Sequence, residues 1–381
     1  MDEQTSDLIE PKNNKARLLS IDALRGFDMF WILGAEGIFA ALFTLTGWRI
    51  WHILAGQMEH SAWHGITAYD CIFPLFIFLS GVSLGLAAKS ITDYPKAVQK
   101  QKYRHAIKRL LLLLFLGVVY NHGWGTGAPF SLDEVRYASV LGRIGIAWFV
   151  AAMLVWHTSI RTQAIIVVAT LLAYWLLLTF VTIDGYGGNY TATGAVNVWF
   201  DQHFLPGVTY QNKPLDPEGL LSNISSIMNA LIGVFAGRAM KQLATQPKKL
   251  LSYLISAGIA MLAIGFAWSN VFPLNKNLWT SSFVLVTCGY SALLLALFYF
   301  LIDVLKWQRW ATFFAVIGMN SIVIYLSTSL MTWYYTTKSI FGGFIAAAPL
   351  VWQTLLIVCA GLLIKWLVLL WLYKRKIFIK V

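Results

Sequence analysis

Long apolar runs alternate with short polar breaks along nearly the whole chain, and ten of those runs approach or reach membrane-crossing length once isolated polar positions are tolerated. They lie at Ala23–Leu45, Ile66–Ala87, Ala106–Tyr120, Tyr137–Trp156, Ala164–Val181, Leu220–Ala236, Leu251–Trp268, Trp279–Leu301, Ala311–Leu330 and Val351–Leu372. The third and sixth are the shortest. No internal repeat or low-complexity tract interrupts the series. The expected fold is therefore an all-α polytopic membrane protein of about 10 transmembrane helices. It divides into an N-terminal tail (1–20), one membrane domain (21–373) and a basic C-terminal tail (374–381).

An even number of crossings puts both ends on one side, and the basic residues say which. Loops on the side of the termini hold 22 Lys and Arg, from Lys12, Lys15 and Arg17 through Lys100–Arg109 to Lys380, against 5 in the opposite loops. Both termini are thus expected to be cytoplasmic. The 46–65 segment and the 121–136 and 182–219 loops then face outward. Trp51, Trp63, Trp124 and Trp199 join an outer aromatic belt, and Trp307 and Trp310 an inner one. Composition agrees: 58% of residues are hydrophobic and 12% charged, with a mean hydropathy of +0.65, whereas soluble domains average about 45–50% apolar and about 25% charged residues. The net charge of +12 follows the loops and gives no reason to expect a nucleic acid. MDEQTSDLIEPKNNKARLLS opens acidic and polar, unlike a signal peptide, so the first apolar run is expected to remain as a helix. Cys71, Cys288 and Cys359 lie in apolar runs without CxxC spacing and read as small core residues.

Candidate chemistry comes from ionisable residues inside the runs, each of which costs roughly 2.5–3.5 kcal/mol to insert and so needs a partner or a cavity. With Arg25 as zero on the first helix, Asp22 falls at about +60°, Asp28 at about −60° and Glu36 at about +20°, all on one stripe. Asp22 and Asp28 flank Arg25 as an ion cluster. Glu36 sits between Gly34 and Gly37 with no base within a turn, so its partner comes from another helix. It reads either as a proton acceptor or as a buried hydrogen-bonding Glu. Asp70 lies about 7 Å into the second helix and Arg143 about 9 Å into the fourth, from the same side. Equal depth suggests an Asp70–Arg143 pair, either structural or holding a polar ligand group. His60 and His64 lie at the outer surface. GVSLG (81–85) and GVFAG (233–237) allow close helix approach, and NHGWGTG reads as a turn. Zinc spacing, a serine elbow and a redox motif are absent. The residues alone leave a transporter and an intramembrane enzyme both open.

Several long blocks carry more. RLLSIDALRGFDMFW, EHSAWHGITAYDCIFPLFIFLSG, DEVRYASVLGRIGIAWFVAA, DPEGLLSNISSI, PLNKNLWTSSFVL and GMNSIVIYL, in that order, resemble the heparan-α-glucosaminide N-acetyltransferase family. The resemblance implies that 21–373 is a transmembrane acyltransferase domain. It implies acetyl-CoA as co-substrate, no metal, and the amine of a glucosamine on the far side as acceptor. The family's essential histidine falls on His60, in a context completed by Trp63 and Gly65. The Asn that supports it in lysosomal enzymes falls on Glu36, so the implied catalytic pair is His60 and Glu36. His60 would act as general base, or alternatively as a transient acetyl carrier. Trp63, Asp70, Arg143, Lys276, Asn277, Asn320 and Ser321 carry over as substrate- and CoA-binding positions. The short architecture resembles bacterial members associated with amino-sugar salvage, which implies a bacterial inner membrane and a possible homodimer. The basic cluster Lys100, Lys102, Arg104, Lys108 and Arg109 either attracts CoA phosphates or is ordinary cytoplasmic charge. Aromatics around 186–203, with Asp201 and His203, are candidates for holding the sugar. Two competitors remain: an amino-sugar or muropeptide transporter, for which internal pseudo-symmetry is lacking, and a membrane sugar O-acetyltransferase.

Overall fold

A computed structural model describes residues 18–123, 125 and 131–379. Trp124, Lys12, Lys15, Arg17 and Lys380, on which the expected topology partly rests, lie outside the described residues. In hydrocarbon every backbone polar group needs an internal partner, and an apolar run meets that demand locally by coiling into a helix. The described chain does so almost throughout. Its helices are α1 (Leu19–Phe30), α2 (Gly37–Thr46), α3 (Arg49–Gln57), α4 (Ile72–Leu86), α5 (Lys96–His122), α6 (Val140–His157), α7 (Ile160–Phe180), α8 (Val196–Phe204), α9 (Leu220–Gln242), α10 (Pro247–Trp268), α11 (Ser281–Phe298), α12 (Arg309–Met319), α13 (Ser321–Leu330), α14 (Trp333–Ala347) and α15 (Leu350–Lys374). A two-residue hairpin, β1 (Thr182–Ile183) and β2 (Tyr186–Gly187), lies between α7 and α8.

Among the described residues, seven helices are long and apolar enough to cross a membrane, or up to nine if each of two bent pairs makes one span. The third expected run, Ala106–Tyr120, is the apolar part of α5. That helix begins with Lys96, Lys100, Lys102, Arg104, Lys108 and Arg109, which keep it out of the apolar set. α3, α8 and α14 were not expected as helices; none exceeds 15 residues, too short to stand out as a spanning run.

The runs expected as single helices at Ala23–Leu45 and Ala311–Leu330 are both broken. α1 and α2 meet at 54° across a π-turn, Trp31–Ala35. Gly34 takes φ 117° there, a conformation open chiefly to glycine, and the Lys365 ammonium from α15 donates to the Leu33 carbonyl. α12 and α13 meet at 60° at Asn320. Its side chain bonds to backbone beyond α15 instead, donating to Ile377 O and accepting from Ile379 N–H.

Packing centres on α4 and α9, whose small-residue motifs face each other. A Cβ on Gly81 would stand 1.8 Å from Ala230 O, and one on Gly233 would stand 2.1 Å from Phe78 O. Only hydrogen side chains allow this approach, and close backbone contact is the attraction left to helices in lipid. Phe78, Trp279 and Phe283 fill the surrounding core. α7, α10 and α15 lie at the margin and are mostly exposed, whereas most of α9 is buried. The site is thus carried by central helices.

Candidate active site

The segment from Met58 to Cys71 leaves α3, turns, and enters α4. Gly65, at φ 115°, donates its N–H to Leu274 O at 2.9 Å. The Trp63 indole donates to Tyr190 O at 2.8 Å. Buried Asn275 donates to Trp63 O at 2.9 Å while its own carbonyl accepts from Leu278 N–H. These bonds clamp the segment to the 273–280 loop and the β-hairpin region, and so hold its side chains in place.

Asp70 is fully buried at the entrance of α4. Its Oδ2 accepts from Ser61 N–H (3.1 Å), Thr67 N–H (3.2 Å) and the Thr67 hydroxyl (3.2 Å). Those donors aim Oδ1 at His60 Nδ1, 2.9 Å away. A carboxylate there places the imidazole proton on Nδ1 and leaves Nε2 as the basic atom. The His60 side chain is 55% exposed, so a buried carboxylate orients an imidazole that opens to solvent. Lys276 Nζ stands 3.4 Å from Asp70 Oδ1 and 3.0 Å from His60 Nδ1. Burial lowers the Lys276 pKa and the Asp70 charge opposes that.

Two expected pairings are corrected. Glu36 does not meet His60; it lies at the end of the π-turn, and its charge acts on Lys365 and on Tyr69, whose ring centroid is 4.8 Å from that of His60. The π-turn and the bend take Glu36 off the stripe it would share with Arg25 in a straight helix. Asp70 does not meet Arg143, because His60 and Lys276 occupy it. Arg143, 1% exposed, stacks over Trp279 at 4.6 Å and donates to Pro217 O at 2.8 Å and to the Ser222 hydroxyl. Its Nε and Nη1 have no partner among the described residues.

Other candidates scatter. Trp63 is tied to Tyr190 through its indole N–H. Asn277 shares the Lys276 loop but makes no side-chain hydrogen bond among the described residues, and Asn275 does the anchoring. Asn320 serves the segment after α15. Asp201, 2% exposed, accepts from Asp216 N–H and Leu220 N–H and so is not open to a sugar hydroxyl. His203 Nδ1 meets Trp199 O at 2.8 Å. The expected ion cluster at Arg25 is present in part, with Asp22 at 3.6 Å.

One group escaped the sequence reading. Arg136 forms a fork to Asp216 (2.8 and 2.7 Å) and reaches Glu218 at 2.5 Å, tying the segment before α6 to the segment before α9. Burial would lower its pKa, but the two carboxylates hold it well above the ordinary arginine value. Its only sequence signal is a charge before α6 and two before α9, with nothing to pair them.

Beneath the site lies a cavity of about 380 Å³ between α1, α4, α5, α6, α12 and α13. Arg25, Ser83 and Arg109 line one end, and Phe73, one turn from Asp70, lines the other; Ser321 and Tyr325 lie on its wall.

A family model described as an acyltransferase domain matches residues 18–370. Heparan-alpha-glucosaminide N-acetyltransferase of Mus musculus is 28% identical over 378 residues, covering 85% of this chain and 55% of the relative. The protein of the same name from Homo sapiens is 26% identical over 370 residues, covering 84% and 54%. The chain spans about half the length of these curated relatives.

Proposed function

The chain belongs to the family of that acyltransferase domain, and from this premise we propose that it moves an acetyl group from acetyl-CoA to the amine of a glucosamine-type sugar. It is a multi-pass membrane acyltransferase. In this reading the Arg25–Arg109 end of the bundle and both termini face the cytoplasm of a bacterial cell, and the His60 end faces outward. The cluster of Asp70, His60 and Lys276, with Asp70 one helical turn from Phe73 on the wall of a cavity that ends at two arginines, carries the proposal.

The residues present fit acetyl-CoA. The guanidinium groups of Arg25 and Arg109 suit its phosphates, and Met29, Leu113 and Ile144 offer apolar wall to its arm. Bound there, it supplies the acetyl group as a thioester, already activated towards an amine. The protein's part is proton handling and charge. Asp70 stays ionised and holds His60 with its proton on Nδ1. His60 Nε2 takes the proton that the amine gives up as the N–C bond forms. The Lys276 ammonium faces the same space and donates to oxygen gaining negative charge. The C–S bond breaks with its electron pair going to sulfur, which takes the proton held on His60 Nε2, so that CoA thiol leaves and the base is restored.

The test is CoA release by purified protein given acetyl-CoA and glucosamine. Thiol release should require both substrates and fall about 10²–10⁴-fold in His60→Ala. Release that survives the substitution would move the chemistry away from His60. Sugar binding without any release would favour transport.

A further inference from the structure

A second cavity, of about 370 Å³, lies beside the first on the other face of α1 and α4. α1 turns Arg25 and Met29 to the first cavity and Phe27 and Asp28 to the second, and the π-turn after it adds Ile32 to the first and Trp31 to the second. The rim of the second includes Gln57 and Thr67. Thr67 is the residue whose hydroxyl and N–H bind Asp70, so this rim adjoins the His60 site. From there the cavity descends between α4 and α11 to Leu294, thirteen residues past Ser281 and about 20 Å along the helix. Tyr290, 39% exposed on a spanning helix, marks its side towards hydrocarbon.

The lining selects a ligand class. Among the described residues no cation lines the cavity, so it does not suit CoA phosphates. Its walls are Phe27, Ile66, Ile72, Leu75 and Leu294, which suit an aliphatic chain and not a bare sugar. The volume falls within the roughly 300–1,000 Å³ of ordinary ligand sites. Asp28 is 2% exposed, and its Oδ2 has no partner among the described residues. A buried oxygen left without a donor is costly, and an occupant carrying a hydroxyl or amide N–H at its head–tail junction would satisfy it.

We propose that this cavity receives the aliphatic tail of a membrane-embedded amphiphile whose head reaches His60, so that the acceptor is a lipid-anchored amino sugar. The inference rests on the acetyl-transfer reading above and specifies its acceptor. Free sugar reaches the exposed His60 from water, whereas an anchored one arrives sideways, already concentrated in the bilayer.

The experiment uses the full chain in nanodiscs with methyl and dodecyl glucosaminides, and a dodecyl glucosaminide carrying a diazirine in its chain. Photolysis should label peptides of α1, α4 and α11 around Phe27, Leu75 and Leu294, with dodecyl but not methyl glucosaminide competing. KM for acetylation should be at least about tenfold lower for the dodecyl than for the methyl compound, and Leu294→Trp should abolish that preference. Labels elsewhere, equal KM values, or equal competition by dodecyl maltoside would overturn the proposal. Acetylation of both sugars without chain-length preference would sink the anchored acceptor and leave acetyl transfer standing. Labelling of the cavity without acetylation of either would sink the acetyl-transfer reading, and the acceptor with it, and leave only a site for the aliphatic tail.

Discussion

Four donors converge on the two oxygens of Asp70, and they explain why this carboxylate, and not Glu36, serves His60. Asp70→Asn keeps the shape but replaces an acceptor with an amide that favours the wrong tautomer. CoA release should fall about 10²–10⁴-fold, while Glu36→Gln should change it by less than about tenfold. Comparable losses in both would restore Glu36 as the partner of His60. Lys276 carries a second residue-level expectation. Burial lowers its pKa, so its ammonium is lost at lower pH than that of an exposed lysine. Arginine stays charged, so Lys276→Arg should carry activity to higher pH than wild type; an unmoved alkaline limb would exclude Lys276 from the charge balance. His60 itself was legible from its motif. Its partner was not, because a ten-residue loop contact obeys no helical period and identical carboxylates compete for it.

At the scale of elements, GVSLG and GVFAG each announce a close helix contact, and the pairing of α4 with α9 puts the two motifs into one seam. Gly81→Ala should cost about 1–3 kcal/mol or more, because its Cβ would overlap the Ala230 carbonyl. A thermal melt of the solubilised protein as high as wild type would contradict the seam. The two bends show the opposite case. Gly34 and Asn320 are ordinary inside an apolar run; the bends become visible only when Lys365 caps Leu33 O and the segment after α15 occupies Asn320. Both partners come from the far end of the chain.

The whole molecule is held at its His60 end by contacts between distant loops. Arg136 ties the entrance of α6 to Asp216 and Glu218, and Asp201 caps the same stretch from α8. Burial outweighs two backbone donors and pushes the Asp201 pKa up to about 6. The folded state therefore holds this proton more tightly than the unfolded chain does. The associated stability is present below about pH 4 and is lost as pH rises through about 6. The difference amounts to about 3 kcal/mol at most. Melting temperature should decline across that window, and Asp201→Asn should flatten the decline; parallel curves would remove Asp201 from the linkage.

The apolar runs by themselves determined that this is a membrane protein of many helices, because each helix satisfies its own backbone within one stretch of chain. The motif blocks determined the acyltransferase family and pointed to His60 with Glu36, and to Lys276 as one of seven binding positions. Tertiary structure decided the rest: which carboxylate reaches His60, where the first and ninth expected helices break, and which faces of α1 and α4 enclose each cavity. Those outcomes depend on contacts between residues tens to hundreds of positions apart, set by packing rather than by any local pattern.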